Sequence, residues 1–237
     1  MATCYFYNML DFHNHILPGI DDGAPDTDQS LLLIRGLQEL GFDRIHASPH
    51  IIADTHPNSP ETIEAARQRL IQAIDSQGMN LSIHAAAEYM LDDVFLRNLK
   101  EKQPLLRLGG DRVLVEFSYI QKPDHVESYS FEMQIQGYEP VLAHPERYVY
   151  YHRDFDYYEH LKALGFEFQL NLLSLTPYYG REVQKTAERL LKGGFYDFAC
   201  TDMHHERHLE AMRAHFDRAK LQDLFAEYEL KNDELLA

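Results

Sequence analysis

The sequence predicts an α/β fold in which parallel strands, joined by crossover helices, close into a barrel. Two observations carry that expectation. Short strand-like apolar runs alternate with amphipathic helical runs along most of the chain. Each apolar run also meets, at its C-terminal side, a polar residue suited to metal or proton chemistry. In a barrel of parallel strands that rim is where active sites are assembled, whereas an open sheet gathers such residues at one switch point.

Seven strands are expected, at roughly 10–15, 44–48, 81–87, 112–117, 140–143, 166–170 and 197–201. The first carries His13 and His15, inside "DFHNHILPGIDDG", and Asp21 and Asp22 follow. Residues i and i+2 of a strand share a face, so the two imidazoles point the same way. The segment "DQSLLLIRGLQELG" then places Leu33, Leu37 and Leu40 on one helical stripe before Gly41. His50 follows the second strand. Ser59 and Pro60 read as N-cap and first residue of a helix with Ile63, Ala66, Leu70, Ile71 and Ile74 on one face, ended by Gly78. The third strand closes on Glu88 and the fourth, "RVLVE", on Glu116. A carboxylate ending an apolar strand is costly unless paired or coordinated. "PVLAH" closes on His144 and "FEFQLN" on Asn171. "VQKTAERLLKGG" reads as a helix ended by Gly193 and Gly194, and "DFACTD" then leads to Asp202 and His204.

A length of 237 residues suits one domain, with a core of about 10–210 and a C-terminal helical extension. The net charge of -16, from 22 basic and 38 acidic residues, argues against nucleic acid and anionic membrane surfaces as partners. Cys4 and Cys200 form no pair motif, so neither a disulfide framework nor a thiolate zinc site is implied. The start "MATCYFYNML" lacks a basic n-region, and no apolar run approaches the ~20 residues of a membrane span. The expectation is a soluble, cytoplasmic protein without membrane insertion.

Taken singly, the fourteen histidines read as surface or core residues, and "DDG" as a solvated turn. Together, at successive strand ends, they read as a metal centre. Imidazole and carboxylate donors without thiolate suit manganese, iron or zinc. One catalytic zinc needs three protein ligands, and about twice as many candidates stand here, which fits two or more metals. In "LAHPERY", Arg147 follows His144 by three residues and offers a guanidinium fork to a phosphate oxygen, a surface salt bridge being the plain alternative. Arg207, three residues after His204, is a second candidate for that role.

The motifs "DFHNHILPGIDDG", "ASPH", "AAEYMLDD", "LVEF", "LAHPERY" and "CTDMHH" resemble, in order, those of the PHP (polymerase and histidinol phosphatase) superfamily. The nearest branch is that of the bacterial capsule-type (CpsB/CapC-type) manganese-dependent protein-tyrosine phosphatases, and the resemblance runs from about residue 10 to 210. It implies a distorted (β/α)7, TIM-like barrel with a three-metal Mn2+ cluster, Fe or Zn being the alternatives. It further implies His13, His15, Glu88 and Asp202 around one metal. Glu88 would bridge to a second, held also by Glu116 and His144, with Asp22, His50 and His204 near the third. Arg147 matches the family's phosphate-binding arginine, whereas Arg207 lies closer to the Asp-x-His motif than the second one usually does. The implied partner is the phosphotyrosine tail of a membrane-associated bacterial tyrosine kinase controlling capsule and exopolysaccharide synthesis.

The reaction expected is metal-assisted hydrolysis of a phosphomonoester, with the cations and Arg147 offsetting charge in the transition state. Asp22 or His50, or a metal-bound water, could serve as general acid. A cysteine-phosphatase mechanism is excluded, because neither cysteine sits in a phosphate loop followed by Arg. Two rivals share the constellation: a histidinol-phosphate or other small-molecule phosphatase, and a metal-stabilised scaffold that binds the kinase tail without turnover. "ERYVYYHRDFDYY" reads as rim packing and surface loops, a substrate-binding or homo-oligomer surface being the other reading. Tyr5, Phe6 and Tyr7 read as packing over the barrel floor, and "FAEYELKNDELLA" as a solvated or frayed helix end.

Overall fold

The strands that form are short and parallel. The computed structural model describes residues 9–236, so the expectations for Cys4, Tyr5, Phe6 and Tyr7 lie outside the described residues. The strands are β1 (Met9–Asp11), β2 (Phe42–Ala47), β3 (His50–Ile51), β4 (Ile83–Ala85), β5 (Glu88–Met90), β6 (Arg112–Glu116), β7 (Glu139–Ala143), β8 (Glu167–Asn171) and β9 (Phe198–Cys200). Between and after them run α1 (Thr27–Leu40), α2 (Pro60–Ser76), α3 (Asp93–Lys100), α4 (Val126–Ile135), α5 (Phe155–Ala163), α6 (Arg181–Lys192), α7 (Glu206–His215) and α8 (Arg218–Glu227). The strands form two parallel sheets, of order β1-β2-β4 and β3-β5-β6-β7-β8-β9.

The helix starts and stops follow local chemistry. Ser59 caps α2 in a reciprocal capping box with Thr62, and Pro60 is its first residue. Gly41 ends α1 at φ +102°, a left-handed conformation that costs glycine nothing.

The single seven-stranded barrel sheet expected from the sequence is corrected to these two, because the second and third expected strands are each followed by a further short strand, β3 and β5, that pairs in the other sheet. Pro49 has no N–H to donate, so β2 cannot run straight on into β3. At that point Ala86 N donates to Ala47 O at 2.8 Å and Glu88 N to Pro49 O at 3.0 Å. Both chains therefore leave the first sheet together and re-pair in the second, where His50 lies opposite Glu88.

β1 and β9 are edges of different sheets, and side chains join them. Asp11 accepts from Thr201 N at 2.9 Å and from Thr201 Oγ1 at 2.7 Å. Asn232 donates to Leu10 O at 2.8 Å and Ala199 O at 2.7 Å, and accepts from Ala199 N at 3.1 Å. Further along, Asp202 N donates to His13 O and His15 N to Met203 O, both at 2.8 Å. The C-terminal run is thus no frayed helix end: Asn232 and Leu235 are buried, and one amide satisfies backbone groups that two unpaired edges would leave without partners.

Alternation along the strands sorts the core into two parts. Val113, Val115, Leu142 and Phe168 join the large cluster under the helices, while Leu10, Phe12, Leu114, Val141, Ala143, Phe198 and Cys200 form a smaller one on the other side of the strands. Cys200 is buried as expected. Tyr148, Tyr151 and Tyr158 are fully buried core residues rather than rim or surface. Tyr148 can be buried because its hydroxyl donates to Ala143 O at 3.1 Å and accepts from Phe117 N at 2.9 Å.

Candidate metal centre

Beyond the C-terminal ends of the strands, nine side chains converge. Their ligand atoms fall into four overlapping groups, each within 4.8 Å: His15, Asp22, His50 and His204; His13, His15 and Glu88; His13, His144 and Asp202; His50, Glu88 and Glu116. These nine are the residues singled out in the sequence as ligands. His144 Nε2 lies 3.1 Å from Glu88 Oε1, and Glu116 meets Glu88 through His50, whose Nδ1 lies 3.1 Å from both. Register explains it, because His50 and Glu88 are direct cross-strand neighbours.

Backbone geometry aims several of them. His144 directly follows β7 and Asp202 closely follows β9, with φ of +36° and +51°. A left-handed conformation is disfavoured for non-glycine residues, and such strain gathers at sites where the surroundings dictate it. Gly23 contributes by lacking a side chain. A Cβ there would lie 2.0 Å from His15 O, so only glycine lets "DDG" fold back on the histidine strand. That segment is no free solvated turn.

Three imidazoles are held by one ring nitrogen so that the other faces the cluster. His13 donates from Nδ1 to Gln169 Oε1 at 2.8 Å, and its Nε2 lies 3.2 Å from Glu88 and 3.3 Å from Asp202. His15 donates from Nδ1 to Asp21 Oδ2 at 2.8 Å, turning Nε2 toward Glu88 and Asp202 at 3.4 and 3.5 Å. His204 donates from Nδ1 to Asp202 O at 2.8 Å, leaving Nε2 3.5 Å from Asp22. Tying one nitrogen to an oxygen sets tautomer and orientation, the arrangement that metal-ligating histidines require. The holding residues escaped the sequence reading as parts of the site. Gln169 could have been suspected as an amide inside an apolar strand, and Asp21 from its place beside Asp22.

The donor set fits a metal. Glu88 Oε2, Glu116 Oε1 and His50 Nδ1 are buried without a hydrogen-bond partner, and the nitrogen lies 3.1 Å from both oxygens. Orphaned buried acceptors are costly, and a shared cation satisfies them at once. The charges agree. Burial pulls His13 down, but the charges of Glu88 and Asp202 outweigh it and lift it to about 9. Burial, and then the charge of Glu88, push Glu116 up to about 7. Burial holds His144 down at about 4 despite Glu88. The cluster is short of positive charge, which is what divalent cations supply.

Arg147 stands beside it, with Nη1 donating to Asp202 Oδ2 at 2.8 Å. Arg207 lies exposed in the first turn of α7, and no polar contact among the described residues links it to the cluster. No helix among the described residues is long and apolar enough to cross a membrane.

Comparison with known proteins places the chain. The family described as capsular polysaccharide synthesis, CpsB/CapC, matches residues 9–219. The tyrosine-protein phosphatase YwqE of Bacillus subtilis is 28% identical over 196 residues, covering 83% of this chain and 77% of that one. A putative tyrosine-protein phosphatase, CapC of Staphylococcus aureus, is 26% identical over 232 residues, 96% of this chain and 91% of that one. Among solved structures, a chain from the set described as YwqE from Bacillus subtilis and CpsB from Streptococcus pneumoniae, "unique metal-dependent tyrosine phosphatases", superposes with a TM-score of 0.81 at 26% identity. The match covers 96% of this chain and 91% of that one. The strand-end constellation and the match over nearly the whole chain have one reading: this protein belongs to the CpsB/CapC family of capsular polysaccharide synthesis.

Proposed function

We propose that this protein is a metal-dependent protein-tyrosine phosphatase acting in capsular or exopolysaccharide synthesis, its substrate the phosphotyrosine tail of a membrane-associated tyrosine kinase. The observation that carries the reading is the convergence of nine donors, all but Asp22 buried or half-buried and three of them imidazoles held in orientation, beside one guanidinium. His13, His15, Asp22, His50, Glu88, Glu116, His144, Asp202 and His204 would hold the metals. Mn2+ in a three-metal cluster is our assignment, with iron or zinc as alternatives. Divalent cations held there supply Lewis acidity toward phosphoryl oxygens and let water act as a nucleophile at neutral pH.

The chain's own residues do the rest. Arg147 spends one N–H on Asp202 and keeps the others for phosphate oxygens, so it is oriented before substrate arrives. Gln169 and Asp21 keep the His13 and His15 rings from turning away. A phenolate leaves with little need of protonation. Of the two side-chain acid candidates, Asp22 is unsuited at neutral pH, because the hydrogen bond from His204 holds its carboxyl below the ordinary range. His50 keeps that candidacy. A phosphate contact by Arg207 would require the α7 start to turn toward the cluster. The two sheets read as the walls of a distorted seven-unit barrel in one domain, with the C-terminal turn as part of the wall. A cytoplasmic location, facing the kinase tail, completes the proposal.

Phosphate release from metal-stripped protein tests it, with manganese added back and a phosphotyrosyl peptide compared with histidinol phosphate. Manganese-dependent turnover of the peptide is expected. Preference for histidinol phosphate would move the chain to small-molecule chemistry, and no release with metal bound would sink the phosphatase reading.

A further inference from the structure

Between the donors His144 and His204 the rim carries an arc of further rings that phosphate chemistry does not require. Arg147 lies between two of them, its Cζ 4.7 Å from the centroid of Tyr119 and 4.2 Å from that of Tyr179. Tyr119 also stacks on His144, with centroids 5.6 Å apart and 27° between the planes. On the other side, Tyr178 meets Tyr179 edge-on at 4.9 Å and His208 at 5.3 Å, and His208 meets His204 at 5.5 Å. The arc thus runs from His144, around the guanidinium, to His204.

Its rings are held but not covered. Phe117 N donates to Tyr148 Oη at 2.9 Å and Tyr150 donates to Ser118 O at 2.8 Å, pinning the loop that carries Tyr119. Asn171 donates to Tyr179 Oη at 3.3 Å. Yet Tyr119 and Tyr178 remain 41% and 40% exposed beside a buried charged cluster. Open aromatic faces on a pinned rim next to a polar centre are the makings of a ring-binding site.

We propose that Tyr119, which lies against Arg147, and Tyr178, which lies against the Tyr179 ring on the other side of the guanidinium, form a slot for the ring of an aryl phosphate, selecting phosphate esters of phenols over those of alkyl alcohols. The proposal rests on the phosphatase reading above. An aryl phosphate seated on Arg147 projects its ring outward from the guanidinium, and the ring faces it meets are those of the arc. A phosphoserine has no ring to offer them. Tyr119 acts twice: it holds Arg147 flat as a positioning residue, and it presents an aromatic face to the leaving group.

The test compares kcat/KM for phosphotyrosyl and phosphoseryl forms of one peptide, using manganese-loaded wild type, Tyr119→Ala, Tyr119→Phe and Tyr178→Ala. Binding of benzylphosphonate and propylphosphonate, which cannot be hydrolysed, is measured alongside by calorimetry. The phosphotyrosine-to-phosphoserine ratio should fall about 10-fold in Tyr119→Ala and less in Tyr178→Ala, with the ratio kept by Tyr119→Phe. Benzylphosphonate should lose its advantage in the same alanine variants. An unchanged ratio in both alanine variants overturns the slot. So does an equal fall for both esters, which would assign Tyr119 to Arg147 alone. Wild type that turns over neither ester yet prefers benzylphosphonate through Tyr119 would refute the phosphatase reading and support the slot.

Discussion

Two histidine pairs, one on the rim and one below it, separate what makes a metal site from what merely resembles one. On the rim, His13 and His15 have ring centroids 5.5 Å apart. Four residues earlier along the chain than His50 and Glu88, the floor pair His46 and His84 are cross-strand partners on β2 and β4 with centroids 4.9 Å apart. They border a cavity of about 650 Å³ shared with Arg44, Arg107 and Leu235. Spacing alone would not tell the pairs apart. Their neighbours do. The rim pair faces Glu88 and Asp202, and His13 rises to about 9 against its own burial. Among the described residues no carboxylate pairs with the floor pair, and burial, then His84, lower His46 to about 4. One pair is built to share positive charge, the other to exclude it.

That contrast can be broken first at Glu88. Glu88→Gln keeps shape and removes the charge, and manganese-dependent kcat/KM should fall by more than the roughly 100-fold cost of losing an outer-shell partner. The rise in melting temperature on adding manganese should vanish with it. An active variant would unseat the rim assignment.

The floor should answer to pH instead. His46 ionises near 4 when folded and near its ordinary 6.5 when unfolded, so the unfolded chain takes up the proton first on acidification. The stability tied to a neutral His46 is fully present above pH 6.5 and drains away as pH falls toward 4, by roughly 3 kcal/mol in all. Urea unfolding of wild type and His46→Leu across that window should show the difference between them shrinking or reversing as acid is added. Equal pH slopes would show that the floor pair does not differ from the rim in the way described. A smaller effect, about 2 kcal/mol, is expected for Asn232→Ala, which strands Ala199 N and Leu10 O at the seam of β1 and β9 while leaving the donors in place. Loss of activity out of proportion to that destabilisation would mean that the seam also shapes the rim. Gln169→Leu should have the mildest effect, about 10-fold weaker manganese binding by calorimetry with little change in unfolding.

Much of this protein is legible along the chain because its signals are local. Ser59, Pro60 and Gly41 mark helix ends within a turn of themselves, and a period of two sends His13 and His15 to one face. Most of the donors stand in a strand or within four residues of one, where short-range pattern finds them, and Asp22 follows in the loop after the first strand. Other features depended on contacts across long stretches of chain. The His13–Gln169 bond spans 156 residues, the Asp11–Thr201 bond 190, and the Asn232–Leu10 bond 222. No window of sequence contains both partners. The division into two sheets at Pro49, the buried C-terminal amide, the seating of Arg147 between Tyr119 and Tyr179, and the sharing of Glu88 between His50 and His13 were decided only when the strands paired. Side-chain chemistry sets which residues can bind a metal, and tertiary packing sets which way they face.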